Sequence, residues 1–195
     1  MSNKYYDLRQ TFFRNYFEKG SAFNAYLTSG DPGQQKRWAD YYERIKLTAA
    51  QETLVAGFTR RLNILVLSGI WCGDCARQGP MFARISERNA LIDCRFVESR
   101  ENPELQDELR IIGAARVPVA VLLSEDFFEL SRFGDRQLSA YRRKAANELG
   151  PACDAGIVPP SEQELQTELG EWLMNVERAE LLLRLAPALR TKYND

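Results

Sequence analysis

Histidine is absent from the 195 residues. That removes imidazole general bases, Ser–His–Asp and Cys–His catalysis, and every His-ligated metal site. Cysteine is scarce: four residues are too few for a disulfide scaffold, so a reducing cytoplasm is the expected compartment. The longest apolar runs, such as Ile64–Leu67 and Val117–Leu123, fall far short of the roughly 20 residues that a membrane-spanning helix needs. Met1–Gln10 carries Lys4, Asp7 and Arg9 and lacks the basic stretch and apolar run of a secretory signal. Neither charge is in excess. With 26 basic and 27 acidic residues the net charge is −1, and nothing electrostatic calls for nucleic acid or a membrane surface as partner. No phosphate-cradling G-x-x-x-x-G-K-[ST] loop and no G-x-G-x-x-G fingerprint occurs. Sulfur is what remains for chemistry.

The chain reads as three blocks within one domain. In residues 1–61 helical spacing dominates: Tyr5, Leu8, Phe12, Phe13, Tyr16 and Phe17 recur every three or four residues, with Gly20 as the stop. After a turn signal at Ser29–Gly33, Trp38, Tyr41, Tyr42 and Ile45 repeat the spacing. Thr48 and Gln51 fit a capping box opening a further helix. An aromatic stripe of this kind reads as core packing rather than a cofactor cradle.

Residues 62–150 change period. Asn63–Leu67 and Leu91–Val97 read as buried strands joined by a helix from Asp74 to about Asn89. Asn102–Glu104 opens a short helix through Ile111; Val119–Leu123 and Phe127–Phe133 read as a hairpin; Gln137–Leu149 closes the block as a helix. The order β-α-β-α-β-β-α predicts an α/β core with a parallel pair and an antiparallel edge. In residues 151–195 a breaker-rich linker precedes Ser161, an N-cap, and a long helix with Leu165, Leu169, Trp172, Leu173, Val176 and Leu183 on one face. That face must cover the sheet, the N-terminal helices or a second copy of the chain, which makes a homodimer one possible outcome.

Trp71-Cys72-Gly73-Asp74-Cys75 stands where the first strand gives way to a helix. Disulfide exchange needs a thiolate, and the free N–H groups and dipole of a helix start favour an anion by roughly 0.3–1 kcal/mol. Cys75 lies one turn on, placed to attack a mixed disulfide formed at Cys72. Gly73 is expected to let the loop turn tightly and leave Cys72 uncovered. Asp74 suits a first helical turn but opposes ionisation of Cys72, which predicts a reductant rather than a strong oxidant. A CxxC can also be half of a zinc site, but Cys94 and Cys153 are isolated and supply no second ligand pair. No metal is therefore expected. Cys94 reads as a buried inert thiol, Cys153 as an incidental exposed one, and Arg142-Arg143-Lys144 as a solvated face.

These residues resemble the thioredoxin family. Trp71 precedes the first cysteine as in that family, Pro80 falls on its helix-kinking proline, Val117-Pro118 on its cis-proline, and Gly134 on the glycine of the strand after the hairpin. The resemblance implies a thioredoxin-like fold, a central mixed sheet flanked by helices, here with N- and C-terminal helical additions. It implies a thiol–disulfide oxidoreductase with Cys72 as nucleophile and Cys75 as resolving residue. Pro118 would face the pair, Val117 would offer its backbone to an extended substrate, and Arg116 would lie near the sulfurs, to stabilise the Cys72 thiolate or meet an acidic substrate, unless it is simply a solvated loop arginine. No cofactor beyond the Cys72–Cys75 disulfide is implied; the partners are a protein or small-molecule disulfide and an external reductant. Two departures stand out. Val66 occupies the place of the family's buried acid, leaving Asp74, Arg116 or water to serve instead, and Asp74 replaces the proline between the cysteines. The alternatives are a binding module with a vestigial redox pair, and metal or iron–sulfur binding through the CxxC.

Overall fold

The computed structural model describes residues 5–149 and 159–195. The chain enters through four helices, α1 (Gln10–Lys19), α2 (Phe23–Leu27), α3 (Pro32–Arg44) and α4 (Ala49–Ala56). The helix expected from Tyr5 starts only at Gln10. Asp7 holds the approach as a turn, its carboxylate accepting the N–H groups of Arg9 and Glu129, each at 2.7 Å. Gly20 ends α1 with φ −68°, not in the left-handed cap that glycine often supplies; a side chain there would meet Arg95 Cβ at 2.7 Å. Thr48 and Gln51 form the expected capping box, and Asp31 with Gln34 forms another at α3. Helix α2 has only five residues, too short to announce itself by periodicity.

The middle of the chain contributes β1 (Leu62–Ser68), α5 (Gly73–Arg88), β2 (Ile92–Glu98), a 3₁₀ turn at Ser99–Glu101, α6 (Pro103–Glu108), β3 (Val119–Leu123) and β4 (Glu129–Gly134). The strands stand in the order β2-β1-β3-β4. β1 and β2 run parallel, with Leu62 opposite Ile92 and Ser68 opposite Glu98; β3 is antiparallel to both β1 and β4. The hairpin thus provides an inner strand as well as the edge. Helix α6 stops at Glu108 instead of Ile111, because Ile112 and Gly113 take positive φ of 52° and 71° and Ile111 bridges to Ala114. Likewise β4 begins at Glu129, since Phe127, at φ 64°, belongs to the turn that closes on Ser124.

Helices α7 (Leu138–Leu149), α8 (Glu162–Leu185) and α9 (Pro187–Tyr193) complete the described chain. Cys153 lies outside the described residues. Every residue of β1 is buried, and its alternation sends side chains to two cores. Leu65 and Leu67 join Phe13, Phe17, Leu105 and Leu109 of α1 and the α6 segment. Ile64 and Val66 join Trp38, Phe82, Leu169, Trp172 and Val176 from α3, α5 and α8. The apolar face of α8 is therefore spent within the chain, against α5 and the sheet. Each large side chain so buried contributes roughly 1.5–3 kcal/mol of transfer free energy. No helix of the described residues is long and apolar enough to cross a membrane.

Candidate active site

Cys72 is the N-cap of α5, so its sulfur stands at the positive end of the helix, half-exposed. The loop before it is closed by Cys72 N–H donating to Gly69 O at 2.9 Å, and α5 begins with Ala76 N–H donating to Cys72 O at 2.9 Å. Cys75, one turn on, is fully buried and accepts the Gly69 N–H at 3.4 Å. Hydrogen bonding from the Cys75 side chain, helped by backbone N–H groups and opposed by burial and by the Asp74 charge, brings the Cys72 thiol down from 9.0 to about 7. Burial and the neighbouring Cys72 push Cys75 the opposite way, well above its ordinary value. The two thiols are thus separated in acidity by position alone.

The Val117-Pro118 peptide is cis, and Cys72 Sγ approaches Val117 O at 3.8 Å, so the expected facing pair is in place. Gly134 is needed here: a Cβ would lie 2.7 Å from Pro118 O and 2.9 Å from Val119 Cγ2. Gly73 differs from expectation. Its φ lies outside the positive range and nothing stands within 4 Å of a Cβ placed on it, so the turn does not require glycine. Pro80 lies inside α5. Arg116 pairs with Asp135 at 3.2 Å. Cys94 is buried, and desolvation drives its thiol upward.

Asp74 is held between two guanidiniums, Arg77 at 2.8 Å and Arg136. Arg77 in turn makes a forked pair with the fully buried Glu168 of α8, at 2.8 and 3.2 Å. Arg136 also reaches Asp135 at 2.8 Å. Burial opposes ionisation of Asp135, but the Tyr141 hydroxyl, its own backbone N–H, Arg116 and Arg136 outweigh it, and the carboxyl titrates below its usual value. Asp74 is therefore compensated, which weakens its effect on Cys72. Among the described residues no group of three or more His, Cys, Asp or Glu could hold a metal ion.

A thioredoxin family model matches residues 20–141. The chain belongs to the thioredoxin family. The match starts in the N-terminal helices, well before the strand at which the sequence landmarks begin. A protein of unknown function from Pseudomonas aeruginosa has a solved structure similar over 86% of this chain and 95% of its own, at 21% identity and a TM-score of 0.66. A scaffold carrying an HIV epitope is similar over 86% and 92%, at 22% identity and a TM-score of 0.59. Both likenesses concern the fold. The search of curated proteins gives no match.

In this thioredoxin-family chain the loop before Cys72 is braced by residues that local sequence reading misses. Glu98, at the end of β2, accepts the Ile70 N–H at 3.0 Å, the Trp71 indole N–H at 3.0 Å and the Tyr26 hydroxyl at 2.8 Å. The Trp38 indole N–H donates to Ile70 O at 3.0 Å, and Arg100 stacks its guanidinium 4.0 Å over Trp71. Tyr26, Trp71, Glu98 and Arg100 line a cleft of about 600 Å³ on the Ile70–Trp71 side of the loop, and neither cysteine lines it. The only signal for Glu98 in the sequence is an acid at the end of a strand parallel to β1, where the topology brings strand ends together.

Proposed function

We propose that the chain is a thiol–disulfide oxidoreductase that reduces protein or small-molecule disulfides through Cys72 and Cys75. One observation carries the reading: a half-exposed thiol at a helix start, 3.8 Å from the carbonyl before the cis-proline, with a buried thiol one turn behind, a placement that lowers the first thiol to about 7 and raises the second. At neutral pH a large share of Cys72 is thiolate, the attacking species, while Cys75 is held protonated until needed. Cys72 attacks a substrate disulfide, forms a mixed disulfide and expels one substrate thiolate. Cys75, losing its proton, then attacks Cys72 Sγ; the Cys72–Cys75 bond forms and the second substrate thiolate leaves. Two electrons pass to the substrate, and an external thiol reductant restores the pair in a reducing compartment. Val117 and Pro118 form the wall against which an extended substrate would lie.

The test is reduction of insulin or a small dithiol-sensitive disulfide by the full chain. Wild type should turn over with a thiol reductant, Cys72→Ser should be inactive, and Cys75→Ser should stall as a mixed disulfide visible by mass. Equal behaviour of wild type and Cys72→Ser refutes the reading.

A further inference from the structure

Resolution by Cys75 requires a proton acceptor, and Val66 supplies none: it is buried among apolar side chains. Two residues further along β1, on the same face, stands Ser68, 1% exposed. Its Oγ is buried and has no hydrogen-bond partner. The next residue, Gly69, donates its N–H to Cys75 Sγ at 3.4 Å, Ser68 stands opposite Glu98 in the β1–β2 ladder, and the face of β1 it shares with Val66 packs with Cys75 and Tyr26; in that position the hydroxyl favours the anion of both. Tyr26, 4% exposed, donates its hydroxyl proton to Glu98 Oε2 at 2.8 Å. Glu98 is half-buried and opens on the cleft beside Trp71. A chain of groups thus runs from the buried sulfur to solvent, and a lone buried hydroxyl without a partner needs an explanation in a native fold.

We propose that Ser68, Tyr26 and Glu98 are the proton exit for Cys75, with Ser68 the group that contacts the reacting thiol and Tyr26 and Glu98 the relay behind it. The proposal rests on the thiol–disulfide reading above. In the mixed disulfide the Cys75 S–H proton passes to Ser68 Oγ as Ser68 hands its own to Tyr26 Oη and Tyr26 hands its own to Glu98. Both hydroxyls are regenerated, and the net change is one proton moved from Cys75 to the carboxylate, which returns it to water in the cleft. The Cys75 thiolate then forms the Cys72–Cys75 bond as the Cys72–substrate bond breaks, and the substrate sulfur leaves with the electron pair. Burial raises the Tyr26 phenol far above its usual range, so tyrosine acts by passing a proton and never by resting as an anion.

The test is rapid mixing of the reduced full chain with an aromatic disulfide whose two released thiolates absorb light. The first release reports attack by Cys72, the second resolution by Cys75. In Ser68→Ala and Tyr26→Phe the second release should slow at pH 7 by about a hundredfold, the lower reach of proton-transfer catalysis, relative to the first. The deficit should close as pH rises toward ionisation of Cys75 itself, and Ser68→Thr should restore the rate. A purely structural role would not produce that convergence. In wild type, independent of any variant's folding, the second release should show a normal solvent deuterium isotope effect. Should Ser68→Ala and Tyr26→Phe match wild type across pH while Cys75→Ser abolishes the second release, the relay is wrong and the redox reading stands. Absence of the isotope effect likewise overturns the relay. If wild type itself gives no second release, the redox reading fails and the relay with it.

Discussion

The lack of histidine makes one thermodynamic experiment unusually clean. Cys72 has its folded pKa lowered from 9.0 to about 7. Between those values the unfolded chain binds a proton at Cys72 that the native thiolate does not, so unfolding free energy rises with pH. The stabilisation is fully present above 9.0 and is lost as pH falls through about 7. At about 1.36 kcal/mol per unit the full shift corresponds to about 2.7 kcal/mol. The thiol is half-exposed, and solvent screening reduces the expected gain to about 1–2 kcal/mol. Above pH 9 the sign reverses: Cys75 and Cys94, both raised, stay protonated in the fold while the unfolded chain ionises, and stability falls. The profile should therefore be a dome peaking near the ordinary thiol value of 9.0.

Urea unfolding of the reduced protein between pH 6 and 10 measures it, with a phosphine present to keep every thiol free. In most proteins histidines would titrate through the same window; here the α-amino group does so besides the thiols, and tyrosines join only toward pH 10. Cys72→Ser retains that amino group, and below pH 9, where Cys75 stays protonated in both proteins, the difference between the two profiles isolates Cys72. A Cys72→Ser protein whose stability climbs from pH 7 to 9 as steeply as wild type refutes the electrostatic account of the site.

Three further outcomes are expected. Because the Cys75 side chain is the largest cause lowering Cys72 and the Asp74 charge opposes it, Cys75→Ala should raise the midpoint of thiolate absorbance and Asp74→Asn should lower it; shifts in one common direction contradict the assignment. A Cβ at Gly79 would sit 2.0 Å from the Trp38 ring, so Gly79→Ala should lose about 2–4 kcal/mol in urea unfolding. Gly73→Ala, with open space around it, should gain up to about 1 kcal/mol. Arg77→Met leaves Glu168 buried without its partner and should cost about 3–5 kcal/mol at neutral pH. Burial already raises Glu168 above its ordinary 4.5, and removing Arg77 raises it more. The deficit should shrink as pH falls from 7 toward that ordinary value, whereas a pH-independent loss would mean packing alone was removed.

What could be read from residues alone follows from how far apart the interacting groups lie. The apolar run of β1, the capping boxes at Thr48 and Ser161 and the stripe of α8 are each encoded within a few neighbours, and all three form. Cys72, Cys75, Pro118 and Gly134 were legible because their spacing matches a known family. The strand and helix ends around Ile112 and Phe127 were not, because both depend on positive φ at residues that rarely adopt it. Charge pairing escaped as well. Arg116 reads as a neighbour of the sulfurs by its place in the chain, but Asp135 captures it. The partner of Arg77 lies 91 residues away in α8, and no local pattern marks a buried carboxylate that is paired across such a distance.

The same distinction bears on the missing acid. Val66 and Ser68 point to one face of β1, so the chain's only polar side chain on that stretch of the strand lies one pleat nearer the cysteine loop than the family's acid. At Val66 a carboxylate would enter a core closed by Trp172 and Val176 of α8, where an unpaired charge is costly. At Ser68 a neutral hydroxyl carries no such cost, and the charge it needs can stand further out, at Glu98, where water reaches it. The link between them, Tyr26, comes from α2, the short helix that periodicity could not reveal. An N-terminal extension that only covered the sheet would need apolar residues alone at this point. Tyr26 and Trp38 instead aim polar atoms at the loop and at the carboxylate that braces it, so the extension completes the site. On this argument Tyr26→Phe, which keeps the ring and its packing against Trp38 and Phe96, should alter the chemistry at Cys75 more than the stability of the fold. Comparing its second-release rate with its urea midpoint decides the matter: a variant that loses stability but resolves mixed disulfides at the wild-type rate would return the extension to a structural role.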